Sequence, residues 1–268
     1  MSKPLLVIVI PCYNEEAVLP ETARRLAEKI SQLVLAQIIS PQSALFFVDD
    51  GSTDNTWKLI EAYHQHNAPV FGGVKLSKNS GHQAALLCGL LSVKDYADIA
   101  ISIDADLQDD IEAIGKMIDC YLSGAEIVLG VHSEREADSF FKRMSANFFY
   151  RFMRLLGANL VENHADFRLM NSAAINALAL RREASLFIRG IVPSLGYTTG
   201  IVQYSRKKRL AGKSKYTAIK MIRFALAGIF SAGITGKYIS KLHTRKKRHA
   251  DYTIEKMLCC ETKTENRI

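Results

Sequence analysis

Asp104 and Asp106 stand two residues apart at the end of an apolar run, Ile99 to Ile103, and Gln108, Asp109 and Asp110 follow directly. On an extended segment residues two apart point the same way, so both carboxylates would share a face, and like charges that close need a counter-charge. A divalent cation is the simplest one. Oxygen ligands, with no His or Cys nearby, favour Mg²⁺ or Mn²⁺ over Zn²⁺. The other task open to these residues is capping, since Asp is ordinary at a helix N-terminus and a helix is expected from about Ile111.

Three more polar clusters have the same form. Val48-Asp49-Asp50-Gly51-Ser52-Thr53-Asp54 sets three carboxylates around a glycine turn; Asp54 is expected to cap the next helix, whereas Asp49 and Asp50 have no such duty. In Pro11-Cys12-Tyr13-Asn14-Glu15-Glu16 the proline is expected to end a strand. Tyr13 could then stack on a base while Glu15 accepts from its NH or from ribose hydroxyls; a capped helix start is the plain alternative. Lys78-Asn79-Ser80-Gly81-His82-Gln83 brings a cation to a turn before a helix, which suits a phosphate.

These clusters need elements to bring them to one place. Strand signals recur at Leu5 to Ile10, Ala44 to Val48, Val74 to Leu76, Ile99 to Ile103 and Glu126 to Gly130, with helix-like segments at Glu16 to Leu35, Asn55 to His66, His82 to Lys94 and Ile111 to Ser123. Such alternation predicts an α/β fold with a single doubly wound, mostly parallel sheet and helices on both faces. Every cluster above then lies at the sheet's carboxyl edge, where open α/β sheets place their ligand crevice. No Gly-x-Gly-x-x-Gly follows the first strand and no Walker lysine motif is present, which argues against the usual dinucleotide and P-loop folds.

The 268 residues are 48% hydrophobic and 23% charged, a folded profile with enough length for a large core. Five cysteines, Cys12, Cys88, Cys120, Cys259 and Cys260, show no metal or disulfide spacing, so a reducing, cytosolic setting is the default expectation. The start, Met1-Ser2-Lys3-Pro4 before Leu5 to Ile10, is not a signal-peptide pattern. Net charge is +8, and 14 of the 35 Lys and Arg fall between Arg206 and Arg248 with no Asp or Glu among them. A block like that seeks polyanions or an anionic membrane surface. Nucleic acid is not expected, because interleaved aromatics and a recognised module are missing.

Six motifs occur in the order found in family 2 glycosyltransferases. They are Pro-x-Tyr-Asn-Glu (Pro11 to Glu15), Val-Asp-Asp-Gly-Ser-Thr-Asp (Val48 to Asp54), Lys-Asn-x-Gly-His-Gln (Lys78 to Gln83), Asp-Ala-Asp-Leu-Gln-Asp (Asp104 to Asp109), Asp-Phe-Arg-Leu-Met (Asp166 to Met170) and Arg189-Gly190. The chain resembles, more narrowly, the polyprenyl-phosphate glycosyltransferases of the bactoprenol glucosyltransferase and dolichol-phosphate mannose synthase type, from about Leu5 to Tyr216.

The resemblance implies a GT-A fold that takes a hexose from a nucleotide-diphospho-sugar, UDP-glucose or another UDP-hexose, to a polyprenyl phosphate with inversion. Pro11, Tyr13, Glu15, Asp49 and Asp50 would surround the nucleoside, with Lys78 and Gly81 near it and Asp104 and Ala105 on the ribose side. Asp106 with Gln108 would hold Mg²⁺ or Mn²⁺ against the diphosphate. The basic loop, including Arg206 and Lys215, would close over diphosphate and lipid phosphate. Asp166 matches the position usually assigned as catalytic base. Because a phosphate monoester is mostly a dianion above its second pKa of ~6, Asp166 is expected to orient the acceptor or the sugar hydroxyls instead. Arg189 joins it. Arg135, Arg143 and Ser145 are the acceptor-phosphate candidates of a family motif whose first arginine is His132 here. The helix expected over Asp138 to Leu156 carries Phe140, Phe141, Phe148, Phe149 and Phe152, for core packing or for a prenyl chain.

The resemblance fades at the C-terminus. Relatives of the bactoprenol type continue into two membrane spans, whereas the longest uncharged run of the C-terminal segment after Arg206, Phe224 to Gly236, would reach only about 20 Å against a hydrocarbon core of about 30 Å. The chain reads as though a hairpin were removed between about Gly228 and Ala232. The expected organisation is therefore a catalytic domain over 1–212, a basic amphipathic helical region over 213–258 lying on the membrane, and a flexible tail over 259–268 that holds Cys259 and Cys260. That makes a peripheral enzyme at the cytoplasmic face of the cell membrane. Two other readings stay open: a glycosyltransferase with a saccharide or protein acceptor, and a nucleotide-sugar-binding protein without turnover, suggested by His132, by Leu195 where relatives often carry Trp, and by the missing hairpin.

Overall fold

The computed structural model describes residues 3–132, 164–181, 188–205 and 252–260. The chain runs β1 (Leu6–Cys12), α1 (Leu19–Leu35), β2 (Ala44–Asp49), α2 (Thr56–His66), β3 (Phe71–Leu76), α3 (His82–Val93), β4 (Ile99–Ser102), α4 (Ala113–Leu122), β5 (Ile127–His132) and β6 (His164–Asn171). Then come α5 (Ser172–Ala179), the single turn α6 (Ile188–Ile191), a 3₁₀ turn (Val192–Leu195), β7 (Thr199–Tyr204) and β8 (Ile254–Leu258). The eight strands form one sheet in the order β7-β5-β6-β4-β1-β2-β3-β8.

The central strands of the sheet are buried on both faces. Leu6, Ile8 and Ile10 of β1 pack with Leu26 of α1 and Ile60 of α2, while Val7 and Val9 pack with Ala85 of α3 and Ile175 of α5. Each such side chain contributes about 1.5–3 kcal/mol relative to an exposed one. Burial on two faces therefore explains why the central strands read as unbroken apolar runs, and why their ends fall where the carboxylates begin. Pairs β1–β2, β1–β4, β2–β3 and β5–β7 are parallel. Pairs β4–β6, β5–β6 and β3–β8 are antiparallel.

Three expectations need correction. Pro11 does not end β1, which continues to Cys12 with Pro11 opposite Val48. Val9 accepts the N–H of Ile103 on the β4 side, so Pro11, two residues on, faces the same side just past the end of β4, where no strand requires its missing donor. Residues 254–258, expected within a helical region, form β8 on the edge strand β3, with Val74 opposite Met257. Cys260 is buried against Gly72, only Cys259 being exposed as a tail residue would be. The rest of the expected helical region, like the Phe-rich helix over 138–156, lies outside the described residues.

Candidate active site

The first two turns of the rim are locked together by hydrogen bonds. Asn14, in the left-handed region at φ 51°, donates its N–H to Ser52 Oγ at 2.9 Å and accepts that of Thr53 on Oδ1 at 2.8 Å. Glu15 N–H reaches Thr56 Oγ1 at 2.9 Å, and Asn55 N–H reaches Glu16 Oε2 at 2.9 Å. Tyr13 and Glu15 thus sit on a braced loop. Asp54 accepts the N–H of Thr56 at 3.0 Å and so acts at the start of α2, one residue ahead of its cap Asn55.

Asp49 and Asp50, without a duty in sequence, have one in the structure. Both are buried. Asp50 accepts the backbone N–H groups of Ser80 at 2.7 Å and Gly81 at 2.9 Å, which fixes the turn from the exposed Lys78 to His82. Asp49 accepts Ser52 N–H at 3.2 Å on Oδ1. Burial pushes both carboxyls above the ordinary range. Gly51, at φ +67°, lets the same two turns meet: a Cβ there would stand 2.5 Å from the carbonyl carbon of Lys78.

The loop after β4 is held from both sides. Thr22 of α1 donates to the carbonyl of Ala105 at 2.6 Å, and Tyr204 at the end of β7 donates to Asp109 Oδ1 at 2.6 Å. Leu107 takes φ 56°, and Asp106 Oδ1 accepts the N–H of Gln108 at 3.1 Å. Among the described residues no group of three or more His, Cys, Asp or Glu side chains is arranged to hold a metal ion. Asp106 and Gln108, the pair expected to hold a metal, offer one carboxylate and one side-chain amide oxygen between them. That fits a hard cation completing its shell with substrate phosphates and water, and it does not fit a closed protein cage.

Asp166 is buried and takes hydrogen bonds from four side chains. Its Oδ2 accepts from His82 Nε2 at 3.2 Å, Gln83 Nε2 at 3.2 Å and Arg189 Nη2 at 3.1 Å, while Oδ1 accepts from Arg168 Nη2. Arg168, two residues along β6 and so on the same face, is fully buried; its Nε and Nη1 have no hydrogen-bond partner among the described residues. Burial pushes the Asp166 carboxyl up, but the charge of Arg189, the His82 hydrogen bond and the charge of Arg168 outweigh it and hold the group well below the ordinary carboxylate range.

His82 also faces Asp104, with Nε2 3.7 Å from Oδ1. Burial lowers the imidazole's proton affinity, yet the charge of Asp104 and the bond to Asp166 prevail and raise its pKa to about 9. Part of the counter-charge sought for the carboxylate pair is therefore a histidine, which faces Asp104. It comes from a turn more than twenty residues away, contrary to the expectation that none was near.

The rim thus brings together Pro11, Tyr13, Glu15, Asp49, Asp50, Lys78, Gly81, Asp104, Ala105, Asp106, Gln108, Asp166 and Arg189 as elements of one carboxyl edge. Arg135, Arg143, Ser145, Arg206 and Lys215 lie outside the described residues. His82, Gln83, Arg168 and Tyr204 were not singled out as site residues in sequence. The signals were the two residues after Gly81 and the same-face spacing of Asp166 and Arg168. His132 ends β5 with its ring edge-on to Tyr204 at 4.8 Å.

Residues 7–179 match the family described as glycosyl transferase family 2, and the chain belongs to that family. It is a family 2 glycosyltransferase with an α/β, GT-A-like fold. Among its relatives is the uncharacterized glycosyltransferase YkoT of Bacillus subtilis, 49% identical over 233 residues that cover 87% of this chain and 69% of that protein. The bactoprenol glucosyl transferase of Shigella phage SfV is 35% identical over 228 residues, 84% of this chain and 70% of the other. In fold, the chain is similar to glucosyl-3-phosphoglycerate synthase from Mycobacterium tuberculosis in complex with Mn²⁺, UDP-glucose and phosphoglyceric acid. There the TM-score is 0.56 at 16% identity, covering 86% of this chain and 80% of that one. Among the described residues no helix is long and apolar enough to cross a membrane.

Proposed function

We propose that this glycosyltransferase moves a hexose from a nucleotide-diphospho-sugar, UDP-glucose or another UDP-hexose, to a polyprenyl phosphate such as undecaprenyl phosphate at the cytoplasmic membrane face. The carrying observation is that the Asp104–Gln108 loop adjoins the cation-rich Asp166 cluster on one rim, which supports reading the first as the donor diphosphate's side and the second as the acceptor phosphate's. The bactoprenol glucosyl transferases among its relatives support the acceptor.

In this reading Tyr13 and Glu15 receive the nucleoside on the braced loop, and Asp106 with Gln108 holds Mg²⁺ or Mn²⁺. The metal, when bound, neutralises charge gathering on the leaving diphosphate. Arg189 and the acceptor candidates Arg135, Arg143 and Ser145 bind the acceptor phosphate. Asp166 orients that assembly. One phosphate oxygen of the acceptor forms the new bond to the anomeric carbon as the bond to the diphosphate breaks on the opposite face, which inverts the centre. The basic segment with Arg206 and Lys215 favours an anionic lipid surface.

The test is transfer of labelled hexose from UDP- and GDP-sugars into butanol-extractable undecaprenyl phosphate, with Mn²⁺ or EDTA. Metal-dependent lipid label, reduced about 10²-fold or more by Asp106→Ala, is the expected result. Metal-dependent nucleotide binding with no lipid label from any donor would overturn the acceptor assignment.

A further inference from the structure

We propose that His82 is a positioning residue that yokes Asp104 on the donor side of the rim to Asp166 on the acceptor side, so that both substrates meet one rigid unit. The proposal rests on the transferase reading above for its kinetic consequence and on geometry for its cause. The antiparallel β4–β6 ladder ends with Ser102 opposite Arg168, and just beyond it Asp104 and Asp166 both come within 4.0 Å of one nitrogen of His82. Like charges that close repel. Among the described residues His82 is the cation within 4.0 Å of both, its one ring nitrogen donating to Asp166 at 3.2 Å and facing Asp104 at 3.7 Å.

The ring cannot easily move aside. His82 is the first residue of α3, and the turn before it is held by Asp50 through Ser80 and Gly81. Gln83, the next residue, donates to Asp166 and accepts the N–H of Ile188 at 3.1 Å, which ties the same helix end to α6. Arg168, Arg189 and Gln83 already hold Asp166, so anchoring Asp166 alone would not require His82. What His82 adds is the link to Asp104.

The experiment compares His82→Asn, which keeps a donor but loses the charge, with His82→Lys, which keeps the charge, in the full chain. Readouts are calorimetric UDP binding with Mn²⁺, KM for each substrate, and kcat. Expected are UDP affinity within a few-fold of the parent for both variants, kcat lower by about 10- to 100-fold in the Asn variant, and substantial recovery in the Lys variant. An Asn variant that turns over like the parent, or a Lys variant as impaired as Asn, would overturn the yoke. A double-mutant cycle of His82→Asn with Asp104→Asn, read by denaturant unfolding, needs no turnover and tests the link itself. The unfolding constants should depart from additivity by about fivefold or more, and additivity would again overturn the proposal. A parent chain that transfers no sugar while the cycle still couples would defeat the acceptor assignment and leave the yoke standing.

Discussion

Tyr204 gives its hydroxyl to Asp109 Oδ1 across 2.6 Å, and both side chains are buried. The contact joins the last residue of β7 to a carboxylate three positions beyond Asp106, while the Tyr204 ring stands edge-on to Phe167 at 5.1 Å. Tyr204→Phe keeps the ring and removes one hydrogen bond to a charged group. The expected cost is about 1–3 kcal/mol in denaturant unfolding, with a higher Mn²⁺ concentration needed for UDP binding. Unchanged stability and unchanged metal dependence would show that the hydroxyl contributes nothing.

Gly51→Ala introduces a Cβ that would lie 2.5 Å from the Lys78 carbonyl carbon, on a residue whose φ is +67°. The obstacle is backbone, so one of the two turns must shift. A loss of about 1–3 kcal/mol is expected from the left-handed strain alone, more with the overlap, together with weaker nucleotide binding. Gly124→Ala, at φ +107° but with open space around it, serves as the comparison. It should show the strain without the binding defect.

Asp166 is held ionised far below neutral pH, chiefly by Arg189 and His82 against the effect of burial. It therefore should not impose its own limb on the rate between pH 5 and 8. The acidic limb of kcat/KM is expected to follow the second ionisation of the acceptor phosphate, near ~6. Acceptor analogues of altered phosphate pKa should move that limb; a limb that stays fixed would assign it to the protein.

His82 titrates at about 9 in the folded chain against an ordinary 6.5. A group whose proton is held more tightly in the native state adds stability that is complete below its unfolded pKa and vanishes as pH rises through the folded one. Tm should accordingly fall between pH 6.5 and about 9, and His82→Asn should lack that component of the fall. Parallel Tm curves for the two proteins would contradict it.

The central strands were legible because burial on both faces leaves almost only small or apolar residues in β1, β2 and β4, up to the carboxylate ending β2. β6 was not, because it carries Asp166 and Arg168 into the interior, where the two pair with each other and Asp166 is also held by His82, Gln83 and Arg189. β8 escaped for the opposite reason: at the sheet's edge Ile254-Glu255-Lys256-Met257 is exposed, so no apolar pattern was required of it. The rim carboxylates could be named from their place at strand ends. Their partners could not, since Asp50 with Ser80 and His82 with Asp166 meet only once the sheet is assembled.

β7 runs parallel to β5 and delivers the chain at the carboxyl rim on one edge of the sheet, and β8 takes it up at the same rim on the other edge, with Thr253 accepting the N–H of Ser77 at 2.8 Å. Seven inter-strand steps, roughly 33 Å at about 4.8 Å each, separate the two attachment points. Residues 206–251, with their 14 Lys and Arg, are therefore tethered at both ends to the rim that holds Asp106 and Asp166. A segment tied at both ends carries a loop-closure cost that a singly tied one does not, and that cost grows only slowly with its length. Cutting the chain once within that segment would keep all 14 of those side-chain charges, add one new amine and one new carboxylate, and release the closed loop.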